Sequence, residues 1–345
     1  MNLAEKLKQF SASNEVVEPI GRDSKVLLVD GLNSYLRCFV ATPTMNDDGM
    51  HIGGMSGFLR SVGLAIRQFK PTRCVIVFDG KGGSQRRREI FKDYKGNRKS
   101  MTKLNRTYDF QTIDEEVTSQ KHQLRLLINA MQHLPVTIVA PDNVEADDVL
   151  AYYANLIADR GGNAIIMSTD KDFLQLINKN IKVWNPVKKK MYDVDAVLEE
   201  YGIHPNNFII LRTIVGDDSD NIPGVKGIGP ATLKKHFPEL ANETMVPWDH
   251  IFASAENNTS KAAQLLLNSK TLLEMNTTLM RLDEQQMSGN TKAKILDQFD
   301  APIGLLNKLG LTQMFVHDRL MSAFPNLDDW LLNTFGPLTR FSHKD

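Results

Sequence analysis

Four short apolar runs, each followed within a few residues by an acid, constrain this chain more than any other feature. Val26 to Val29 runs into Asp30-Gly31, and Cys74 to Phe78 runs into Asp79-Gly80. Val136 to Ala140 leads to Glu145, Asp147 and Asp148, and Ala164 to Met167 leads to Asp170 and Asp172. Short, mostly apolar runs followed by helical patterns read as buried parallel strands. In a doubly wound sheet the ligand crevice lies outside the carboxyl ends of such strands, so these acids converge on one place.

Taken one at a time, acids near helix starts are caps, each worth roughly 0.3 to 1 kcal/mol. A turn after a strand is equally content with Asn, Ser or Gly, so acids at all four strand ends ask for another reason. Clustered carboxylates repel and raise one another's pKa, a cost a fold tolerates when a cation neutralises it. Oxygen-only ligands suit Mg²⁺ or Mn²⁺ rather than zinc.

Composition matters here mainly through its distribution. Lys plus Arg balances Asp plus Glu at 41 each, so net charge names no partner. From Lys81 to Arg106, however, ten basic residues stand against Glu89 and Asp93, with Phe91 and Tyr94 interleaved. A charge run is usually a solvated helix face. This one lies between strands that deliver acids to one crevice, a combination suited to a polyanion with a reactive phosphodiester. The 345 residues leave room for one large domain or two smaller ones. Cys38 and Cys74 show no paired spacing, and no run of about 18 apolar residues or signal-peptide pattern appears, so a cytoplasmic location, that of the host for a viral protein, is expected.

Further along, Ile181 to Trp184 and Met191-Tyr192 flank a basic tip and read as a hairpin. Phe208 to Val215 reads as a helix that ends in Gly216-Asp217-Asp218-Ser219-Asp220. Pro223 to Pro230 has the glycine spacing of a helix-hairpin-helix, in which a tight Gly-x-Gly turn presents backbone amides to phosphate. Gly-Ile-Gly also makes an ordinary turn. After an acid cluster of this kind it points to duplex backbone binding.

These motifs, VLLVDG with Asp30, VIVFDG with Asp79, EADD from Glu145 to Asp148, STDKDF with Asp170 and Asp172, and GDDSDNIPGVKGIG, together resemble the flap endonuclease and 5′-to-3′ exonuclease family over roughly Lys25 to Asp283. The resemblance implies an α/β fold: a mostly parallel central sheet with helices on both faces, a helical arch over the active site, a helix-hairpin-helix subdomain and a helical C-terminal region. The corresponding divisions are a leader over 1–23, a nuclease domain over 24–206 with its arch at about 81–123, the hairpin subdomain over 207–289 and the C-terminal region over 290–345.

The resemblance also implies a structure-specific 5′ nuclease using two Mg²⁺ ions, for which Mn²⁺ can substitute, and K⁺. Carried over residue by residue, Asp30, Asp79, Glu145, Asp147 and Asp148 hold or orient the first metal, and Asp170, Asp172, Asp217 and Asp220 serve the second. Lys95 and Arg98 contact the scissile phosphate while Tyr94 stacks on a base. Arg37, Arg86, Arg87 and Arg88, with Gly227, Ile228, Gly229, Thr232 and Lys234 of the hairpin, contact nucleic acid. Backbone carbonyls around Ile214, Val215, Pro223, Val225 and Ile228 hold the potassium. The implied substrate is branched or nicked DNA, with RNA-DNA hybrids also within reach because backbone contacts carry little base information. The alternative from another class is a branched-DNA-binding protein of the same fold without catalysis.

Ser100 to Ser119 follows no family pattern. Leu305, Leu306, Leu309, Trp330, Leu331 and Leu332 are the buried candidates of the last region. In the leader, Leu3, Leu7 and Phe10 share one helical face, which suits docking on the chain's own domain or on a sliding clamp or single-strand DNA-binding protein.

Overall fold

The computed structural model describes residues 21–98, 103–282 and 287–342, so the leader's apolar stripe and part of the expected arch lie outside the described residues. The first half runs β1 (Lys25–Asp30), α1 (Gly31–Ala41), α2 (Gly53–Phe69), β2 (Arg73–Val77), α3 (Gln85–Ile90), α4 (Ile113–Met131), β3 (Thr137–Val139), α5 (Ala146–Asp159) and β4 (Asn163–Met167). A hairpin of β5 (Ile181–Asn185) and β6 (Lys190–Tyr192) follows, then α6 (Val194–Tyr201), α7 (Phe208–Val215) and α8 (Pro230–His236). The remainder is helical: α9 (Trp248–Glu256), α10 (Lys261–Asn268), α11 (Lys270–Met280), α12 (Gly289–Asp300), α13 (Lys308–His317) and α14 (Leu327–Thr334).

The strands form one sheet in the order β3-β2-β1-β4-β5-β6, parallel throughout except for the β5–β6 hairpin. The chain winds outward from β1 in one direction through β2 and β3, and in the other through β4 and β5. The crevice therefore opens between the carboxyl ends of β1 and β4, where the winding reverses. Every apolar residue of β1 is buried because both faces are covered, as in parallel sheets generally. Val26 and Leu28 pack with Val75, Val77 and the α5 side chains Val149, Leu150 and Tyr153. Leu27 and Val29 pack on the other face with Phe58 and Val62 of α2 and Leu127 of α4. Each such side chain contributes about 1.5 to 3 kcal/mol by leaving water.

The C-terminal region does not stand apart. Ile295 and Phe299 of α12 join the first face, where the Tyr153 hydroxyl donates to the Ile295 carbonyl at 2.7 Å. Leu311, Phe315, Leu331 and Phe335 join the second. Of the expected buried candidates, Leu331 is buried and Leu306 and Trp330 are half-buried. Leu305, in the loop before α13, is exposed, and so are Leu309 and Leu332, because α13 and α14 turn Leu311, Phe315 and Leu327 inward.

Where an arch was expected, the described residues form the short helix α3, a 3-10 turn at Gly96–Arg98, an irregular strap over 103–112 and the first turns of α4. The strap lies on the domain. Arg106 N donates to the Val40 carbonyl, the Glu116 carboxylate accepts from the amides of Leu104 and Asn105, and the Phe110 ring stacks on Phe39.

Candidate active site

The first acids after the strands double as helix caps, so the bland reading of the sequence is half right. Asp30 ends β1 and caps α1, with one oxygen accepting from Asn33 N at 3.2 Å and the other from the Ser168 hydroxyl at 2.9 Å. Asp79 follows β2 and reaches across to α5, accepting from Ala146 N at 2.8 Å. That leaves Glu145, which occupies the cap position of α5, free of capping and turned to cations.

Glu145 accepts from Lys95 Nζ at 2.7 Å, from Arg87 Nη1 at 2.7 Å and from the Tyr94 hydroxyl at 3.0 Å. Burial opposes its ionisation, yet Lys95 and then Arg87 outweigh it and hold the carboxyl at about 2. Arg87 also clasps Asp148 with two nitrogens, at 2.8 and 2.9 Å. On the other side of the crevice Arg212 bridges Asp172 and Asp217, and the Asp217 carboxylate also takes the Ser219 amide and hydroxyl. The Tyr94 hydroxyl also lies 3.2 Å from the Asp220 carboxylate.

Asp30, Asp79, Asp147 and Asp170 remain. Among the described residues none of these four has a cationic side chain within ion-pair distance. Burial pushes Asp30 up to about 7 against its hydrogen bonds from Ser168 and Asn33, with Asp170 and Asp79 adding repulsion. Asp147, half-buried at the first turn of α5, is held well above the carboxylate range by lost hydration and then by Asp30 and Asp170. Burial likewise raises Asp170, and burial with Asp170 beside it pushes Asp172 up to about 7 despite Arg212. Among the described residues no three acidic, histidine or cysteine side chains are gathered into a ready cage for an ion. The donor set nevertheless fits hard divalent cations: oxygen-only, mutually repelling, and short of positive charge.

Three expected roles change. Arg87 is buried against Glu145 and Asp148, so it neutralises acids and does not meet a nucleic acid. Asp148 spends both carboxylate oxygens on Arg87, which makes it a brace for α3 and leaves it no side-chain oxygen without a partner. Tyr94 is buried in the core with its hydroxyl turned to Glu145, so no ring face is offered to a base. Lys95 is buried too, its ammonium on Glu145, but it lines the crevice, with φ 55°, a left-handed conformation that costs a non-glycine residue energy. Arg98 closes the 3-10 turn beside it. Arg37 reaches Thr169 at 2.6 Å, and Arg86 and Arg88 are exposed on α3. Arg88 shares with Asp79 and Lys95 a cavity of about 670 Å³.

Arg212 carries a weak mark in the sequence: it is the one charge within the apolar run of α7. Ser168, which bonds Asp30, carries none.

The second half of the expected site is a hairpin between α7 and α8. Asp217 and Ile222 exchange backbone hydrogen bonds of 2.9 and 2.8 Å, closing a tight loop. At Gly224 a β-carbon would stand 1.9 Å from the Val215 carbonyl oxygen, so only glycine lets the two segments touch. Gly227, at φ 89°, is exposed, Ile228 is buried beneath it, and Gly229 opens α8. Thr232 is half-buried and Lys234 exposed on α8. Of the carbonyls expected to hold potassium, those of Ile214, Pro223 and Val225 each accept one protein hydrogen bond. The crevice and hairpin are tied together, since Lys95 N donates to the Asp220 carbonyl and Asn97 Nδ2 to that of Asp218.

A sequence model of the 5′-3′ exonuclease N-terminal resolvase-like domain matches residues 25–202, the span that carries the sheet and seven of the nine acids. The chain belongs to the 5′-3′ exonuclease family. Within that family it is 31% identical to the flap endonuclease Xni of Shewanella piezotolerans over 78% of its own length and 96% of the relative's. It is 27% identical to DNA polymerase I of Rhizobium leguminosarum over 84% of its length, but spans only 28% of that much longer protein. Its fold resembles that of a bacteriophage T5 flap endonuclease solved as a pseudo-enzyme-product complex with DNA and metal ions, at TM-score 0.59 and 21% identity over 85% of this chain and 98% of that one. Among the described residues no helix is long and apolar enough to cross a membrane.

Proposed function

We propose that this member of the 5′-3′ exonuclease family is a cytoplasmic structure-specific 5′ nuclease that hydrolyses phosphodiesters at 5′ flaps and 5′ ends of DNA in replication or repair. One observation carries the reading: among the described residues, four carboxylates at the carboxyl ends of β1, β2 and β4 and the start of α5 have no cation within ion-pair distance, while Lys95 stands beside them. Asp30, Asp79, Asp147 and Asp170 would hold divalent metal, with Asp172, Asp217 and Asp220 completing the set on the Arg212 side. Two Mg²⁺ ions, or Mn²⁺ in their place, supply when bound the Lewis acidity that activates water and neutralises the phosphate. Glu145 keeps Lys95 charged and fixed in place, so its ammonium adds positive charge where the transition state accumulates negative charge. The hairpin amides of Gly227 to Gly229 would grip duplex phosphate, with K⁺ held by backbone carbonyls of Ile214, Val215, Pro223, Val225 and Ile228. Recruitment by a sliding clamp or single-strand DNA-binding protein would act through the leader, residues 1–23.

The test is cleavage of a labelled 5′ flap, a nicked duplex and an RNA-primed duplex, each with and without Mg²⁺. Cleavage dependent on Mg²⁺, leaving 5′ phosphates and lost in Asp147→Asn and Asp170→Asn while duplex binding persists, is the expected result. Cleavage of none of the three returns the chain to a branched-DNA-binding role, and undiminished turnover by both variants removes the acids from the mechanism.

A further inference from the structure

The amino end of the sheet, opposite the acidic crevice, carries a second cavity of about 560 Å³. Lys25 at the start of β1 contributes to it, as do Thr72 just before β2 and Asn163 at the start of β4. With six residues in β1, at about 3.3 Å each, the two ends of the sheet lie about 20 Å apart. This cavity therefore takes no part in the chemistry proposed for the acids.

Its charge is one-sided. Lys25, Arg67, Lys70 and Arg340 line it, all four are exposed, and among the described residues no Asp or Glu lines it. Among the described residues none of the four has a carboxylate within ion-pair distance: Lys25 Nζ donates to the Phe69 carbonyl at 3.1 Å and Arg67 Nη1 to the Thr334 hydroxyl at 2.5 Å. Some surface cations elsewhere find partners, Arg160 with Asp300, Lys188 and Lys190 with Glu200, Lys308 with Asp328, while others such as Arg88, Lys226 and Lys234 have none among the described residues; what sets this cavity apart is that four such cations surround one apolar floor. The floor is apolar, made by Ile66, Pro71 and Phe341. Four like charges around an apolar floor repel one another, and among the described residues no carboxylate offsets that repulsion.

We propose that this cavity binds an acidic peptide segment of a partner protein, with one apolar side chain on the Ile66–Phe341 floor and carboxylates against Lys25, Arg67, Lys70 and Arg340. The volume falls within the roughly 300 to 1,000 Å³ of sites that enclose a small ligand, whereas a duplex, whose major groove alone is about 12 Å wide, cannot enter. A phosphate backbone also offers no aliphatic side chain to cover the floor. Charge complementarity sets the choice and the apolar floor supplies specificity.

The test uses fluorescence anisotropy of a labelled octapeptide of Asp and Glu with one central Leu, added to the full chain at low salt. Saturable one-to-one binding is expected, weakened at least about tenfold in Lys70→Glu/Arg340→Glu and less in the neutral Lys70→Ser/Arg340→Ser. Replacing the peptide's Leu by Ser should also weaken it, and cleavage of naked flaps should be unchanged in both variants. No binding, or equal binding by the variants or by the Ser peptide, overturns the proposal. Displacement by inorganic phosphate or a duplex at the peptide's own concentration would make the cavity a phosphate site and overturns it too.

Discussion

Asp30→Asn should make the metal-free protein more stable while abolishing cleavage. The folded chain holds the Asp30 carboxyl at about 7 against an ordinary 3.8. A tenfold change in an ionisation constant is worth about 1.4 kcal/mol, so keeping Asp30 ionised at pH 8 costs the fold on the order of 4 kcal/mol. Part of that cost is shared with Asp147 and Asp170, and an amide still has to be desolvated, so the expected gain is about 2 kcal/mol. Asn retains an oxygen for the Asn33 amide and so keeps the cap of α1, and the Ser168 hydroxyl can turn to accept from the new NH₂. The sign of the pH dependence follows from the direction of the shift. A carboxyl raised in the folded state imposes its full penalty above about pH 7 and none below about pH 4, so the variant's advantage should shrink as pH falls through that window. Urea unfolding in EDTA at pH 8 and pH 4.5 measures it. Mg²⁺ should then raise the stability of the parent more than that of the variant, by mass action on the folded state. A variant less stable than the parent at pH 8, or an advantage equal at both pH values, would refute the account of the four acids as an uncompensated charge cluster.

Arg212→Ala leaves Asp172 and Asp217 facing each other without their bridge, and should cost about 3 to 5 kcal/mol in urea unfolding at pH 8, with Arg212→Lys recovering part of it. Lys95→Ala should lower single-turnover cleavage on the order of 10²-fold while changing duplex affinity little, because this ammonium sits at the crevice and duplex contacts are many; a change confined to affinity would make it an ordinary basic contact. Gly224→Ala drives a methyl into the Val215 carbonyl and should weaken binding to duplexes of every sequence alike, measured by gel shift across several duplexes, whereas a sequence-selective loss would contradict phosphate recognition.

Strands β1 to β4 were legible in the sequence because each is a short apolar run followed within a few residues by an acid, and β5 and β6 because they flank a basic tip; the order of the strands comes from their packing. The six strands lie where the apolar runs do, within a residue or two at each end. The acids were legible as residues but not as partners. Arg87 meets Glu145 across 58 positions and Arg212 meets Asp172 across 40, and no local pattern connects residues so far apart. The same limit applies to Tyr94: interleaved aromatic and basic residues look alike whether the ring faces a base or, as here, the core. In α13 and α14 a leucine-rich helix offers several equivalent faces, and the neighbour that selects Leu311 and Leu331 over Leu309 and Leu332 is α2 with its surroundings, more than 200 residues earlier.

The packing of α13 and α14 against Phe58, Val62 and Ile66 bears on how the chain is made. All the strands have left the ribosome once Tyr192 is clear, and every candidate metal ligand follows by Asp220. One face of the sheet still waits for Leu311, Phe315, Leu331 and Phe335. A nascent chain halted before Lys308 would thus display a finished set of acids over an uncovered apolar layer, the form of the polypeptide most exposed to chaperones and to aggregation.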